Sequence, residues 1–277
     1  MSKWILLLVA LLPNPCWGAT APRSPAAADR PAPDPPATRP APKPTGKNAK
    51  LPGLVVNFRE RCVDVEAAVC LRQGLLELIA CTKGTKEHES IVAINAKPAH
   101  IHVSLLLLSA RNGNPAMRKP INPEKTRWID VPPQGDPVDV FLVLPNKMGK
   151  KVERPISDFV TPAEGAAAEK VDSEAPKFPH TFLFAGSLLR NHGPGPQKYL
   201  SDLSGNVISV VTFGDELLCL PGIHGQGNDS LMWRVNATNL PAIGTKVTLR
   251  LRPKPKPAPK AGKADPPRAV PAPTTKR

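Results

Sequence analysis

Residues 70 to 113 read CLRQGLLELIACTKGTKEHESIVAINAKPAHIHVSLLLLSARNG, and the reading of this stretch decides the fold. Arg72-Gln73-Gly74 is a turn signal followed by a short apolar run, so Val63 to Val69 and Leu75 to Cys81 are expected to pair as a hairpin. Ile91 to Asn95 reads as another short strand. Pro98 then suits a first helical turn, Asn95 is a candidate cap and Gly113 follows the end, which predicts a helix over about 98–110. Ile101, Leu105 and Leu108 make one stripe, and Leu106 and Leu107 widen it, so that helix is expected to be strongly buried.

Outward from this stretch the pattern is mostly extended. Leu54 to Phe58, Trp128 to Val131, Val138 to Leu144, Lys151 to Pro155, Thr181 to Ala185, Val207 to Phe213, Leu231 to Val235 and Val247 to Leu251 all read as strands, with Asn146 to Gly149 as a hairpin turn. Thr161 to Lys177 (TPAEGAAAEKVDSEAPK) is a low-complexity loop. One buried helix over such strands argues for an α+β class, mainly an antiparallel β-sheet.

The two ends differ from the middle in composition. Lys3, the apolar run WILLLVALL and the small residues Cys16, Gly18 and Ala19 have the form of a signal peptide over residues 1–19. Residues 20–50 hold nine prolines, six basic and two acidic residues, and residues 251–277 hold eight prolines, eight basic residues and one acidic residue. Neither has an aromatic residue or an apolar face to bury, so the arm 20–50 and the tail 254–277 are expected to be disordered. The chain carries a formal net charge of +14, yet residues 51–250 contain 22 basic and 20 acidic residues. The charge is therefore a property of the ends, and specific nucleic-acid recognition by a folded basic face is not expected.

Within residues 51–253, the run VCLRQGLLELIACTKGTKEHESIVAINAKPAHIHVSLLLL, then FLFAGS at 182–187, KYLSDLSGNVIS at 198–209 and GTKVTLRLRP at 244–253, resembles the YdjY-like family of exported bacterial proteins. The resemblance implies a single domain over about 51–253 and a location that is exported, periplasmic or secreted. It implies no catalytic residue.

The chemistry-bearing positions gather in CTKGTKEHES, residues 81–90. Lys83 and Lys86 beside Gly84 suit an anion, and His88 between Glu87 and Glu89 suits a general base or, with partners from elsewhere, a hard-metal ligand. The stretch reads either as a solvated turn or as a binding site of Lys83, Lys86, Glu87, His88 and Glu89. A transition-metal site of His88, Glu89 and Cys81 is the alternative. His100 and His102 diverge on a helix and read as structural.

After signal removal, Cys62, Cys70, Cys81 and Cys219 remain. On a straight hairpin Cys81 falls opposite Val65 or Glu66, which leaves Cys70 and Cys81 several rows apart and outside disulfide reach. No C-x-x-C, G-x-S-x-G, Walker loop or H-E-x-x-H occurs. These observations favour an exported, non-catalytic binding or structural protein of the bacterial envelope, without a cofactor. Its partner is an unspecified envelope component, with an anionic polymer or membrane surface reached through the basic ends. A metal-binding or redox protein using the Glu87-His88-Glu89 turn with Cys81 is the second reading.

Overall fold

The computed structural model describes residues 48–146, 148–163, 177–191, 193–222 and 233–255. The expected signal peptide, nearly all of the basic arm and tail, and most of the 161–177 loop lie outside the described residues. In chain order the main-sheet strands are β1 (Ala49–Leu51), β2 (Leu54–Asn57), β3 (Cys62–Val69), β4 (Leu78–Thr82), β5 (Ser90–Ile94), β6 (Pro137–Pro145), β7 (Lys151–Pro155), β8 (Thr181–Leu183), β9 (Asn206–Ser209), β10 (Leu218–Cys219) and β11 (Lys246–Pro253). The helices are α1 (Pro98–Leu107) and α2 (Leu200–Ser204).

Period-two alternation sets the frame. Val63, Val65, Ala67 and Val69 of β3, Val138, Val140, Leu142 and Leu144 of β6, and Val247, Leu249 and Leu251 of β11 are buried, while the residues between them face outward. The inward rows belong to one ring. Its order is β3–β11–β6–β8–β10–β9–β4–β5, and β5 pairs back onto β3 through Ala67↔Ile94 and Val69↔Val92. The architecture is therefore a closed eight-stranded β-barrel, which overturns the α+β expectation of a mainly open antiparallel sheet under a buried helix. Closure depends on one edge of β3 being shared: β2 takes Cys62 to Val65, and β5 takes Ala67 to Val69. A barrel of this size fills its interior with side chains.

The expected hairpin of Val63 to Val69 with Leu75 to Cys81 does not form. After the turn, Leu76 N–H bonds to the Trp233 carbonyl (2.9 Å) and Val235 N–H to the Gly74 carbonyl (3.1 Å), so this segment pairs with the strand Trp233–Val235. Strand β4 then lies on the far side of β5 and runs parallel to it, with Leu78↔Ser90 and Thr82↔Ile94. The hairpin of β6 with β7 forms as expected, and the Asn146 carboxamide oxygen accepts the N–H groups of Met148 (3.0 Å) and Lys150 (2.9 Å) in its turn.

Helix α1 is shorter and less enclosed than expected. Ile101, Ser104 and Leu105 are buried, but Val103, Leu106 and Leu107 are 50%, 42% and 51% exposed. The helix buries one face only. Its first turn is capped from a distance by Asp202 of α2, whose Oδ1 accepts the Ala99 N–H at 2.8 Å. Among the described residues no helix is long and apolar enough to cross a membrane.

One sector of the barrel wall is buried on both faces. Leu78 to Cys81 of β4 and all four residues of β9 are covered outside as well as inside. The parallel register explains the cover over β4. Residues 83–89 must return the chain along about five strand residues, roughly 17 Å, and parallel neighbours ordinarily use a crossover of about a dozen residues or more. A connection this short is held against the wall, and it forms a strap.

Candidate functional site

The strap is CTKGTKEHES, so the expected site residues are gathered on one element. Glu87 turns back on it: its Oε1 accepts the Gly84 N–H at 2.5 Å, and that bond first of all holds its carboxyl below the ordinary glutamate range. Lys86 lies with its ammonium 3.5 Å from the centroid of the Phe213 ring and 3.5 Å from Glu89 Oε1. His88 Nε2 is 3.6 Å from Glu89 Oε2, with 77% of the His88 side chain exposed. Lys83 is exposed. The Glu89 carbonyl also accepts the Glu77 N–H at 3.2 Å, and the Glu77 carboxyl is raised first by burial and then by the Glu89 charge. The strap thus joins Lys86, His88 and Glu89 at its surface and uses Glu87 to shape its turn.

Cys81 lies beneath, fully buried. Its polar neighbours, the Cys70 side chain first, outweigh burial and hold the Cys81 thiol down to about 6. The Ser90 hydroxyl donates to the Lys86 carbonyl at 2.7 Å and the Thr85 hydroxyl to the Thr82 carbonyl at 2.6 Å. Cys70 is pushed up, first by its bond to Cys81 and then by burial. Its thiol donates to the Ser90 carbonyl oxygen at 3.1 Å. The two cysteines are free, and β5 lies between their strands: Cys70 N–H bonds to the Ile91 carbonyl on one side and Cys81 pairs with Ala93 on the other.

His88 and Glu89 therefore occupy the outer surface of the strap and Cys81 its underside. Among the described residues, no group of three or more His, Cys, Asp or Glu is arranged to hold a metal ion. The H-x-H pair diverges as a helix requires. His102 Nδ1 is 2.8 Å from the Tyr199 hydroxyl, and that hydroxyl donates to the Gly186 carbonyl at 2.8 Å, which leaves His102 Nδ1–H as the donor to tyrosine. Burial lowers the His102 pKa.

A second feature was not singled out by the sequence reading. The hairpin of Met117–Pro120 with Trp128–Val131 faces the hairpin of Leu189–Arg190 with Lys198–Tyr199 across an open groove of about 640 Å³. Met117, Arg118, Trp128, Leu188, Leu189 and Arg190 line it. The Trp128 indole N–H donates to the Lys125 carbonyl at 3.0 Å, which fixes the ring while leaving the residue 46% exposed. Leu189 is 61% exposed. Arg118 pairs with Asp130 at 3.2 Å, and Arg190 has no ion pair among the described residues. The sequence clue was MRKPINPEKTRWIDV, in which Arg118, Lys119, Lys125 and Arg127 outnumber Glu124 and Asp130 beside an unburied tryptophan.

The family model described as the YdjY domain matches residues 54–252, the span from β2 to the penultimate residue of β11. No curated protein and no solved structure matches the chain.

Proposed function

We propose, from the premise that the chain belongs to the YdjY domain family, that it is an exported envelope protein that binds an anionic glycan polymer in the Trp128 groove without catalysing its breakdown. The observation that carries this reading is the fixed, exposed Trp128 indole in a groove with Arg118 and Arg190. A sugar ring has an apolar face that suits an aromatic surface, and its carboxylate or phosphate substituents suit a guanidinium. The openness of the groove favours a ligand that extends beyond it over a small enclosed one, since small-molecule sites bury most of their ligand. The basic arm and tail add adhesion of the same sign, which weakens as salt screens it.

The test is binding of the full chain to a soluble polyuronic acid and to isolated cell-wall sacculi, at low and high salt. Trp128→Ala and Arg190→Ala are each expected to weaken binding about tenfold, or 1.4 kcal/mol, and His88→Ala to leave it unchanged. Binding indifferent to Trp128→Ala, or carried entirely by the salt-sensitive ends, would remove the groove from this reading.

A further inference from the structure

Separately from the glycan groove, we propose that the outer face of the 117–131 hairpin is a docking surface for an anionic lipid bilayer, seated among the headgroups through Ile121 and Ile129 and held there by Lys119 and Arg127.

Register fixes which residues share that face. Lys119 lies opposite Ile129, and Ile121 N–H bonds to the Arg127 carbonyl at 3.0 Å, so the rung nearest the turn pairs Ile121 with Arg127. Side chains alternate along each strand, so these four stand on one side of the ribbon and Arg118, Trp128 and Asp130 on the other. The second group turns to the groove, where Arg118 and Trp128 form part of the lining. The first group turns to solvent: Ile121 and Ile129 are each half exposed, and Lys119 and Arg127 are exposed. The ribbon pairs with no further strand among the described residues. A two-stranded hairpin of this kind is marginal in water unless an apolar face is covered.

Charge selects the occupant. Of the two acids in the hairpin, Asp130 is paired with Arg118 at 3.2 Å on the groove side, and Glu124 accepts from the Asn122 carboxamide at 2.9 Å in the turn. The outer face therefore presents apolar and positive groups with no acid between them. A second copy docked on it about a two-fold axis would set Lys119 and Arg127 against themselves, and like charges repel. Two isoleucines and the stems of two cations also fall far short of the roughly 1,000 Å² that a specific protein interface needs. An anionic bilayer suits both features, since the cations meet the phosphates and the short apolar side chains reach just below them. The open edges of the ribbon carry backbone groups that must stay wet, so it lies flat in the headgroup layer and does not cross. One weak element gives marginal attachment, and stable anchoring takes a second signal. The chain supplies it in the arm 20–50, with six basic and two acidic residues, and in the tail 251–277, with eight and one.

The test is co-sedimentation of the full chain, at low salt, with vesicles of phosphatidylcholine and phosphatidylglycerol in equal parts and with vesicles of phosphatidylcholine alone. Partitioning is expected on the first and not on the second; equal partitioning on both overturns the proposal. Ile121→Ser combined with Ile129→Ser is expected to lower partitioning about tenfold. Lys119→Gln and Arg127→Gln are each expected to lower it about fivefold, the scale of one cation near an anionic surface. Leu203→Ser and Trp128→Ala are expected to leave it unchanged. Leu203 is as exposed as the isoleucines but follows Asp202, and Trp128 belongs to the groove side, so an equal loss in either variant overturns the choice of face. Polyuronic acid binding lost in Trp128→Ala alone, and vesicle binding lost in the isoleucine pair alone, separates this surface from the glycan groove.

The wild-type chain gives a readout that needs no variant to fold. Trypsin cleavage after Lys125 and Arg127 is expected to slow on the anionic vesicles and not with neutral ones. Cleavage there at the free rate while the chain is vesicle-bound means that the basic ends alone hold it, and overturns the proposal. A concentration-dependent dimer that the isoleucine pair abolishes assigns the face to a second copy and overturns it as well.

Discussion

Asp64 and Arg250 stand directly opposite one another on β3 and β11, and their side chains meet as a two-pronged pair, Nε to Oδ1 at 2.6 Å and a terminal nitrogen to Oδ2 at 2.7 Å. The third guanidinium nitrogen donates to Glu153 of β7 at 2.7 Å, and Arg252 reaches the same carboxylate at 2.8 Å. One arginine thus ties three elements together on the outer wall of the barrel.

Replacing Arg250 by alanine is expected to lower stability by about 2 kcal/mol, the scale of hydrogen bonds to charged groups. Both partners are mostly covered, with side chains 18% and 24% exposed, so screening takes away less here than at a free surface. Arg250→Lys keeps the charge but loses the fork, and it is expected to recover less than half of the loss. Urea midpoints of the two variants, with Asp64→Asn completing a double-mutant cycle, measure the pair.

Asp202 caps a helix more than ninety positions earlier in the chain. Asp202→Ala is expected to cost about 1 kcal/mol and Asp202→Asn much less, because an amide oxygen also accepts the Ala99 N–H. Equal losses in the two variants would assign the effect to charge near the helix start rather than to the cap.

The sequence was most legible where a local signal was enough. The alternation of β6 and β11 and the Asn146 turn are written in neighbouring residues, and the β6–β7 hairpin follows from them. Period-two patterning tells which side chains point inward but not which strand comes next. Barrel closure rests on β2 and β5 sharing one edge of β3, and no local run encodes that. The same omission placed Cys70 and Cys81 on one hairpin, whereas β5 lies between their strands. The apolar width of α1 was read as burial, yet Val103, Leu106 and Leu107 stay exposed, since the helix rests on the barrel by a single face. CTKGTKEHES was recognisable as a polar connection. Its role as a strap follows from a parallel register that its own residues do not reveal.

Glu216 is completely buried; its Oε2 accepts the N–H groups of Phe213 (3.3 Å) and Asp215 (2.9 Å), and its Oε1 has no hydrogen-bond partner among the described residues. Burial, chiefly, raises its carboxyl above the ordinary value of 4.5. The folded protein therefore holds a proton that the unfolded chain releases, and stability falls as pH rises from the unfolded value through the folded one. Glu216→Gln is expected to remove this descending limb and to stabilise the protein at neutral pH. Thermal midpoints of both proteins from pH 4 to pH 8 decide it, and parallel curves would mean that the carboxyl does not titrate with folding.

Gly205 ends α2 at a φ of 81° and lies against the strap, where its carbonyl accepts the Thr82 N–H at 3.1 Å. An added Cβ would stand 2.7 Å from the Thr82 hydroxyl oxygen and closer still to that of Thr85. Gly205→Ala therefore adds contact strain to backbone strain, whereas Gly84→Ala, at a φ of 85° with nothing within 4 Å of its added Cβ, adds backbone strain alone. The first variant is expected to lose more than about 1 kcal/mol and to lift the strap from the wall, exposing the bonds after Lys83 and Lys86 to trypsin; the second is expected to lose less and to resist cleavage there. Lifting the strap also uncovers the fully buried Cys81, so alkylation of that thiol should quicken with Gly205→Ala at the same pH. Equal cleavage in the two variants would mean that the turn at Gly84, rather than contact with Gly205, holds the strap down.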